Sequence, residues 1–468
     1  MPSPEDSPHN VRAERAVIFA VALGTILAPL NSTMIAVGLP RIMKEFHADV
    51  ATAGWLITAY LIALAALQPV TGKLGDRLGR RPLVLGGLVA FGLASLGAAL
   101  APSLPVLIAF RGLQAVAGAV TLPNGIAIVR DVVAAERRAS RFGLIGAATG
   151  LAASIGPALG GLVIGAAGWR AVFYVNVPVV ALALALAWRS LPRTVRTEPA
   201  GPFDLLGSLL LCGVLAGFAG LLVEGRGSAG GPLLAASAVA LAVAAAYLLR
   251  HELGHADPVI HPRLFRIRSF AAATSGVALS NLSFYTTLLA TPILLANRFG
   301  WGSVEIGLGL TALSGPSIVV APIGGRLADR LGRRAPAVLG HGLATAGLVP
   351  LALGADRSTV ALLLCLAVAG VGFGLAMATL QTSAVEAVGP AQAGVAAGLF
   401  STSRYLGSIV GSVVLAALLT TSGHGVSGFG SVALLVILAG FLSMLAVLGL
   451  RGRVPSGGPE PARASGLT

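Results

Sequence analysis

The chain has 468 residues, of which 56% are hydrophobic and 11% charged, and its mean hydropathy is +0.87. Because a soluble chain carries roughly 25% charged residues, this composition excludes a soluble protein and indicates an integral membrane protein. A formal net charge of +14 would favour nucleic acid as a partner for a soluble chain. Here the basic residues are spread over many short loops, so we expect no nucleic-acid partner.

Apolar runs dominate the chain order. A helix needs about 20 apolar residues to cross a bilayer, whereas a β-barrel strand needs about 10 that alternate in polarity. We predict fourteen membrane-spanning helices and an all-α fold. They lie near 16–40, 51–71, 83–101, 105–128, 142–165, 170–189, 204–223, 232–250, 270–297, 303–324, 335–354, 358–383, 393–420 and 430–450.

The basic residues predict the orientation of these spans. With the N-terminus in the cytoplasm, 24 of the 32 Lys and Arg fall on the cytoplasmic side and 6 outside, and Arg111 and Arg404 lie within spans. Cytoplasmic loops of membrane proteins carry an excess of Lys and Arg. We therefore expect a multi-pass protein of the cell membrane with both termini in the cytoplasm.

A ten-residue basic stretch occurs twice, at residues 72–81 and again 253 residues later at 325–334. We call the two copies the basic turns. A repeat at this distance indicates two related halves. We expect Asp76 at the cytoplasmic start of the third span, where a helix N-terminus favours negative charge.

The repeat also sets the predicted domains. The two halves are six-helix bundles at 16–189 and 270–450, and the linker 190–269 carries two extra transmembrane helices. Short cytoplasmic tails are predicted at 1–15 and 451–468; the second is rich in Gly, Pro, Arg and Ser, which is typical of disorder.

Further motifs accompany the basic turns. They are Leu30-Asn31-Ser32-Thr33, the Arg-x-x-Gln pattern at 110–114, the glycine-rich stretch 150–161, and Trp169-Arg170 followed by Phe173, Asn176 and Pro178. With the basic turns, they resemble the signatures of the major facilitator superfamily, in its 14-helix drug:proton antiporter type. Members of this type commonly have an aspartate where this chain has Asn31.

The resemblance implies a monomeric secondary transporter without cofactors that exports drugs or toxic metabolites, in exchange for protons. It implies that Asp76, Arg80 and Asp131 form a charge network that latches the halves together when the cavity opens outward. The alternative is that the basic turns only set topology. The expected latch residues are Gly72, Asp76, Arg77, Gly79, Arg80, Arg81, Asp131, Gly325, Asp329, Arg330, Gly332 and Arg333.

Two motifs lie within spans. Arg111 and Gln114 are expected to serve proton coupling or contact with an anionic substrate, and the antiporter motif is expected to be a hinge or seal that favours export over import. A cation inside a span costs about 2.5–3.5 kcal/mol on insertion scales, so Arg111 should face a cavity or a partner, with Gln114 on the same helix face. A structural or snorkelling arginine is the alternative. In the antiporter motif, Gly150, Gly156, Gly160 and Gly161 form a small-residue face and Pro157 can kink the helix; ordinary packing is the alternative.

Uncharged side chains are the remaining cavity candidates, because none of the 18 acidic residues lies in the middle of a span. A proton would then use Glu224, Glu386 or Asp131, unless the coupling differs. Each cavity candidate has interhelical hydrogen bonding as its alternative. The candidates are Asn31, Thr33, Asn124, Asn281 and Tyr285, together with Arg404.

His251-Glu252-Leu253-Gly254-His255 matches a zinc-protease pattern, and His261 has the spacing of a third ligand. A glycine inside the motif, Pro258 after it and the lack of a soluble domain all argue against that enzyme, so no metal is expected. The predicted function is export of hydrophobic or amphipathic small molecules by alternating access. Transport of one specific metabolite is the main alternative, and a non-transporting sensor or scaffold is a remote one.

Overall fold

The computed structural model describes residues 8–193, 204–224, 231–255, 258–354, 358–388, 392–421, 428–450 and 452. Over these residues the chain forms fourteen α-helices and no strand, which confirms the predicted fold class. The helices are α1 (Pro8–Glu45), α2 (Val50–Leu78), α3 (Arg80–Ala99), α4 (Leu104–Val132), α5 (Ala135–Ala167), α6 (Ala171–Ser190), α7 (Leu205–Glu224), α8 (Gly231–Gly254), α9 (Arg268–Phe299), α10 (Ser303–Leu331), α11 (Arg334–Ala352), α12 (Thr359–Glu386), α13 (Ala393–Thr421) and α14 (Gly428–Val447).

Twelve of the described helices are long and apolar enough to cross a membrane. The apolar stretches in α2 and α7 are shorter, Thr52–Gln68 and Leu205–Phe218. Each predicted span coincides with one helix. Helix α1 begins well before the predicted start at residue 16, and residues 451 and 453–468 of the predicted tail lie outside the described part of the chain.

The basic turns are mostly helix, which corrects their interpretation as ten-residue loops. Residues 72–78 form the last turns of α2 and residues 325–331 the last turns of α10. The chain reverses at Gly79 and Gly332, where φ is 93° and 81°, a conformation that glycine adopts without steric cost. Asp76 therefore lies in the last turn of α2, and its expected position at the start of α3 was wrong. Its side chain lies outside the described residues.

The two halves repeat one packing scheme. Helix α1 packs on α4, α5 and α6, while α4 also packs on α2 and α3, and α3 on α6. The same scheme recurs among α9–α14, where α9 packs on α12, α13 and α14, α12 on α10 and α11, and α11 on α14. The internal repeat of the sequence is therefore a repeat of whole six-helix bundles.

The inserted helices α7 and α8 lie at the side of this pair of bundles. Helix α7 packs on α8, on α2 of the first half and on α13 of the second. Helix α8 leaves large side chains such as Leu233, Val239 and Tyr247 more than half exposed. Exposed apolar side chains on a membrane-spanning helix are the surface that contacts lipid.

The halves meet where α2 packs on α13 and α5 packs on α10. We call the end of the molecule that carries residues 72–81 and 325–334 the basic-turn side, and the other end the far side. Backbone contacts between α5 and α10 lie in the far half, at Gly161 and Gly307. Near the basic-turn side, Gly146, Gly150 and Gly325 have no neighbour within 4 Å of the position of a Cβ. Among the described residues, the two bundles are thus in backbone contact at the far side, which closes it, whereas these three glycines near the basic-turn side contact nothing in the other half.

Candidate functional site

The antiporter motif forms the closed far side. A Cβ on Gly161 would lie 2.5 Å from the Ser303 carbonyl oxygen and 2.9 Å from the Gly307 Cα. In return, a Cβ on Gly307 would lie 2.5 Å from the Pro157 carbonyl oxygen. Helices α5 and α10 therefore touch backbone to backbone, which only small residues allow.

The other motif glycines divide into two groups. Gly156 and Gly160 hold α5 against α1, where a Cβ would clash with the Thr33 hydroxyl and with the Met34 backbone. Gly150 is exposed and has no such neighbour, so it does not belong to the packed face in this conformation. The sequence did not separate these roles, because spacing alone does not show which glycine meets a partner.

Helix α2 also closes the far side, against α13. Thr58 and Ser412 share a buried hydrogen bond of 2.9 Å, and Gly54 faces Ala416. Further toward the basic-turn side, Gln68 donates to the Tyr405 hydroxyl at 3.4 Å. The first two contacts show that the far half of this interface is packed, and the third extends the contact to the middle of the helix pair.

Arg111 is fully buried inside the first half. Its Nε donates to the Leu56 carbonyl oxygen at 3.2 Å, its Nη1 donates to Gln114 Oε1 at 3.1 Å, and its guanidinium lies over the Tyr60 ring, 4.0 Å from the centroid. A cation–π contact in a desolvated place is worth about 2 kcal/mol. Nη2 has no hydrogen-bond partner among the described residues. The arginine is therefore held by neutral groups, and the two N–H donors of Nη2 have no acceptor among the described residues.

Gln114 joins this arginine to three other helices. Its Oε1 also accepts from Asn31 Nδ2 at 3.1 Å, and its Nε2 donates to Ser95 Oγ at 2.7 Å. Asn176 of the span 5–6 motif donates to the same Ser95 oxygen at 3.5 Å. Asn31 thus supplies a donor that an aspartate would lack, which explains how this chain accommodates an amide at that position.

Three predicted cavity residues lie inside helix contacts in this conformation. Asn31 and Asn124 are 0% exposed and Thr33 is 5% exposed. Asn124 donates to the Thr71 carbonyl oxygen at 3.0 Å and packs against Gly75, where a Cβ would overlap its side-chain oxygen. Thr33 donates to the carbonyl of Leu30. Interhelical bonding, the alternative weighed for each residue, describes Asn31 and Asn124, whereas Thr33 bonds within its own helix α1.

The other cavity candidates lie between the halves. Asn281, Tyr285 and Arg404 are half-buried, and Arg404 Nη2 donates to the Tyr405 hydroxyl at 3.3 Å. Tyr60, Tyr285 and Tyr405 are within electrostatic range of one another and of Arg111 or Arg404. We call the set at this place the central cluster. It comprises Tyr60, Gln68, Arg111, Tyr285, Arg404 and Tyr405.

Each basic turn forms an ion pair with the end of a neighbouring helix, and we call these two ion pairs the clasps. In the first half, Arg80 pairs with Asp131 at the end of α4 and also donates to the Ala127 carbonyl oxygen. In the second half, Arg333 binds both carboxylate oxygens of Glu386, at 2.7 and 2.9 Å. Both clasps lie within one half in this conformation.

The remaining residues of the basic turns have smaller roles. Asp329 accepts from Arg333 at 2.8 Å, Arg81 donates to the Trp188 carbonyl oxygen of α6 at 2.7 Å, and Gly72 lies against Pro123. Arg77 is half-buried and Arg330 is exposed. These contacts attach the turn to its own bundle.

With this geometry established, comparison with known proteins identifies the chain. A profile of the Major Facilitator Superfamily matches residues 21–412 and 273–467. The chain belongs to the Major Facilitator Superfamily. It is a membrane transporter and not an enzyme, as the sequence predicted, and a transporter of this superfamily takes a small-molecule substrate across the bilayer.

Named relatives of this superfamily align over most of the chain. An uncharacterised MFS-type transporter of Bacillus subtilis (strain 168), YvkA, is 35% identical over 94% of this chain and 97% of that protein. A tetracenomycin C resistance and export protein of Streptomyces glaucescens is 32% identical over 86% of this chain and 76% of that protein. A solved bacterial homologue of the human lysosomal transporter Spinster, in an inward-facing and unoccupied conformation, covers 95% of this chain with a TM-score of 0.67. At 16% identity that likeness concerns the fold alone.

Sequence reasoning missed two groups in this site. Glu386 was considered only as a proton carrier, although it holds the second-half position that Asp131 holds in the first half. The repeat offset of 253 residues applied to Asp131 leads to Ala384, two residues before Glu386, so an exact offset does not find it. Nothing in the sequence indicated that the Tyr60 ring lies under Arg111, because an aromatic residue in an apolar run is typical of any membrane helix.

Proposed function

We propose that this transporter exports hydrophobic or amphipathic small molecules from the cytoplasm in exchange for protons. The observation that carries the proposal is the asymmetric contact between the halves, whose described backbone contacts between α5 and α10 lie at the far side. A transporter that alternates access needs such an end state, in which rigid bundles seal one side only. The excess of basic residues on the basic-turn side supports a cytoplasmic location for that side and for both termini.

The clasps supply the proposed switch. In the conformation described, Arg80 and Arg333 pair within their own halves. When the halves rotate and the far side opens, the basic turns approach each other, and the arginines exchange partners across the interface to latch that side. Asp131 and Glu386 would carry the exchanged protons, because protonation of either carboxylate removes the charge that holds its arginine.

The central cluster is the proposed substrate site. Tyrosines offer large amphipathic surfaces, and Gln68 adds an uncharged hydrogen-bonding group. The tetracenomycin C resistance and export protein among the relatives supports an exported substrate. The arginines of the cluster favour neutral or weakly anionic molecules over dications.

Transport into everted membrane vesicles tests this proposal. We expect uptake of neutral and anionic amphipathic dyes only when the vesicle lumen is made acidic, so that protons leave as the dye enters, and abolition of uptake by a protonophore. Vesicles that carry Asp131→Asn serve as the control for protein-independent partitioning. Equal uptake with and without the gradient would contradict proton exchange, and exclusive transport of dications would contradict the proposed substrate class.

A second candidate is export of one anionic metabolite. It is favoured by Arg111, whose contacts among the described residues are to neutral groups and whose Nη2 remains without a partner. In the same vesicle assay, uptake of a single anion with no transport of neutral dyes would favour this candidate.

A further inference from the structure

A cluster of metal-ligating side chains lies at the membrane-surface end of the inserted helices. Asp204 immediately precedes α7, and His251 and His255 lie at the end of α8. His251 Nε2 is 2.7 Å from Asp204 Oδ1, and His255 Nδ1 is 4.0 Å from Asp204 Oδ2. Helix α6 ends on the basic-turn side and α7 starts there, so this cluster is on the basic-turn side.

Asp204 is positioned rigidly for this role. Its Oδ1 accepts from the Gly207 backbone N at 2.7 Å, and its carbonyl accepts from the Ser208 hydroxyl at 2.7 Å. The residue is 2% exposed, and Oδ2 accepts no hydrogen bond from the described residues. A buried carboxylate oxygen without a donor is costly unless a cation lies near it.

A second buried carboxylate meets the first across Gly207. Glu252 is 2% exposed, and its Oε2 accepts from the Ile260 backbone N at 2.8 Å. Its Oε1 and the Asp204 Oδ2 both lie within 2.5 Å of the position that a Cβ on Gly207 would take. Two carboxylates this close favour either protonation of one of them or a cation beside them.

We propose that Asp204, His251 and His255 bind a divalent transition metal of the zinc class. Their ligand atoms all lie within 4.8 Å of one another. Imidazole nitrogens and a carboxylate oxygen at metal bonds of about 2.0–2.2 Å are typical zinc donors, and in a tetrahedron such atoms are roughly 3.4 Å apart. The observed separations, 2.7 Å from His251 to Asp204 Oδ1 and 4.0 Å from His255 to Asp204 Oδ2, lie on either side of that value.

This site differs from the zinc-protease interpretation of the same motif. The third ligand is Asp204, which lies 47 residues before His251, whereas His261 belongs to the linker before α9. Glu252 binds the Ile260 backbone and is not directed at a substrate. The metal therefore joins the start of α7 to the end of α8 and fixes the inserted pair.

Cobalt binding to the purified, reconstituted transporter tests the site, with a purification tag that contains no histidine. We expect one equivalent of Co²⁺, a visible absorption band of low coordination number, and displacement of that band by Zn²⁺. His251→Gln and His255→Gln each remove a metal ligand. They should weaken Co²⁺ binding by more than the roughly 10–100-fold that is lost when a residue that only hydrogen-bonds to a ligand is replaced. His47→Gln is the matched control, because His47 is an exposed histidine on the loop between α1 and α2, and it should bind like the wild type.

Asp204→Asn keeps the proposal testable if the histidine variants fold poorly. An asparagine still caps α7 but has no charge to offer the metal, so the variant should remain monodisperse and lose the cobalt band. Absence of one-equivalent binding in the wild type would overturn the proposal, and so would unchanged affinity in both histidine variants. Because the experiment measures metal binding, a negative result would not bear on the proposed export of small molecules.

Discussion

Gly161→Ala tests whether the α5–α10 contact holds the far side closed. The new methyl group would lie 2.5 Å from the Ser303 carbonyl oxygen and 2.9 Å from the Gly307 Cα, both backbone atoms. Carbon atoms pack at about 3.5–4.0 Å, so the helices must separate by roughly 1 Å. Overpacking of this kind costs about 1–3 kcal/mol. If the far-side-open conformation lacks this contact, only the far-side-closed conformation is destabilised. The population ratio of the two conformations then changes by about 5–150-fold.

The assay is a distance measurement between the far-side ends of the two halves. Spin labels at Ala166 and Asn297, both exposed, report their separation in a background in which Cys212 and Cys365 are replaced by alanine. We expect Gly161→Ala to increase the population with the longer distance.

Gly150→Ala is the matched control, since it places the same methyl group on the same helix where no atom lies within 4 Å. It should keep the wild-type distance distribution. If Gly161→Ala also kept that distribution, or if both variants shifted it equally, the far-side seal would not depend on this contact.

Three further variants probe the clasps, the arginine network and the basic turn. Asp131→Asn should reduce efflux strongly while changing the free energy of unfolding by less than about 1 kcal/mol, because exposed ion pairs contribute that little; unchanged efflux would argue against the clasp. Asn31→Asp should place a carboxylate near Arg111 and change the pH dependence of transport, and an unchanged pH profile would show that this position is only structural. Gly75→Ala should destabilise the protein by about 1–3 kcal/mol, because the new methyl group overlaps the buried Asn124 amide. Gly86→Ala is the control, because its methyl group meets no atom within 4 Å, and it should leave stability unchanged. Thermal unfolding compares the two variants.

The fold was predictable because membrane helices are specified by long apolar runs and because the sequence repeats. The ends of α2 and α10 were not, since the helices continue into the polar residues of the basic turns. Hydropathy marks where apolar character stops, and the helix stops only where glycine can adopt a positive φ, at Gly79 and Gly332. For this reason Asp76 lies at the end of α2 and not at the start of α3, where we expected it.

The site was predictable only where residue type alone restricts the environment. A buried arginine must find partners, so Arg111 and Gln114 were found together as expected. Uncharged polar residues carry no such restriction, and Asn31 and Asn124 bond between helices instead of lining a cavity. Asp204 was missed at the histidine cluster because its partners come from another helix, and sequence spacing carries no information on which helices are neighbours.

Paired distances on the two sides of the membrane show directly whether the two halves pivot against each other. Labels at Leu78 and Leu331, which are 60% and 43% exposed, report the basic-turn side, and labels at Ala166 and Asn297 report the far side. Under conditions that support efflux, we predict a second population in which the first distance is shorter and the second longer, in equal fractions of molecules. Distances that stay fixed, or that lengthen together, would contradict alternating access by two pivoting halves.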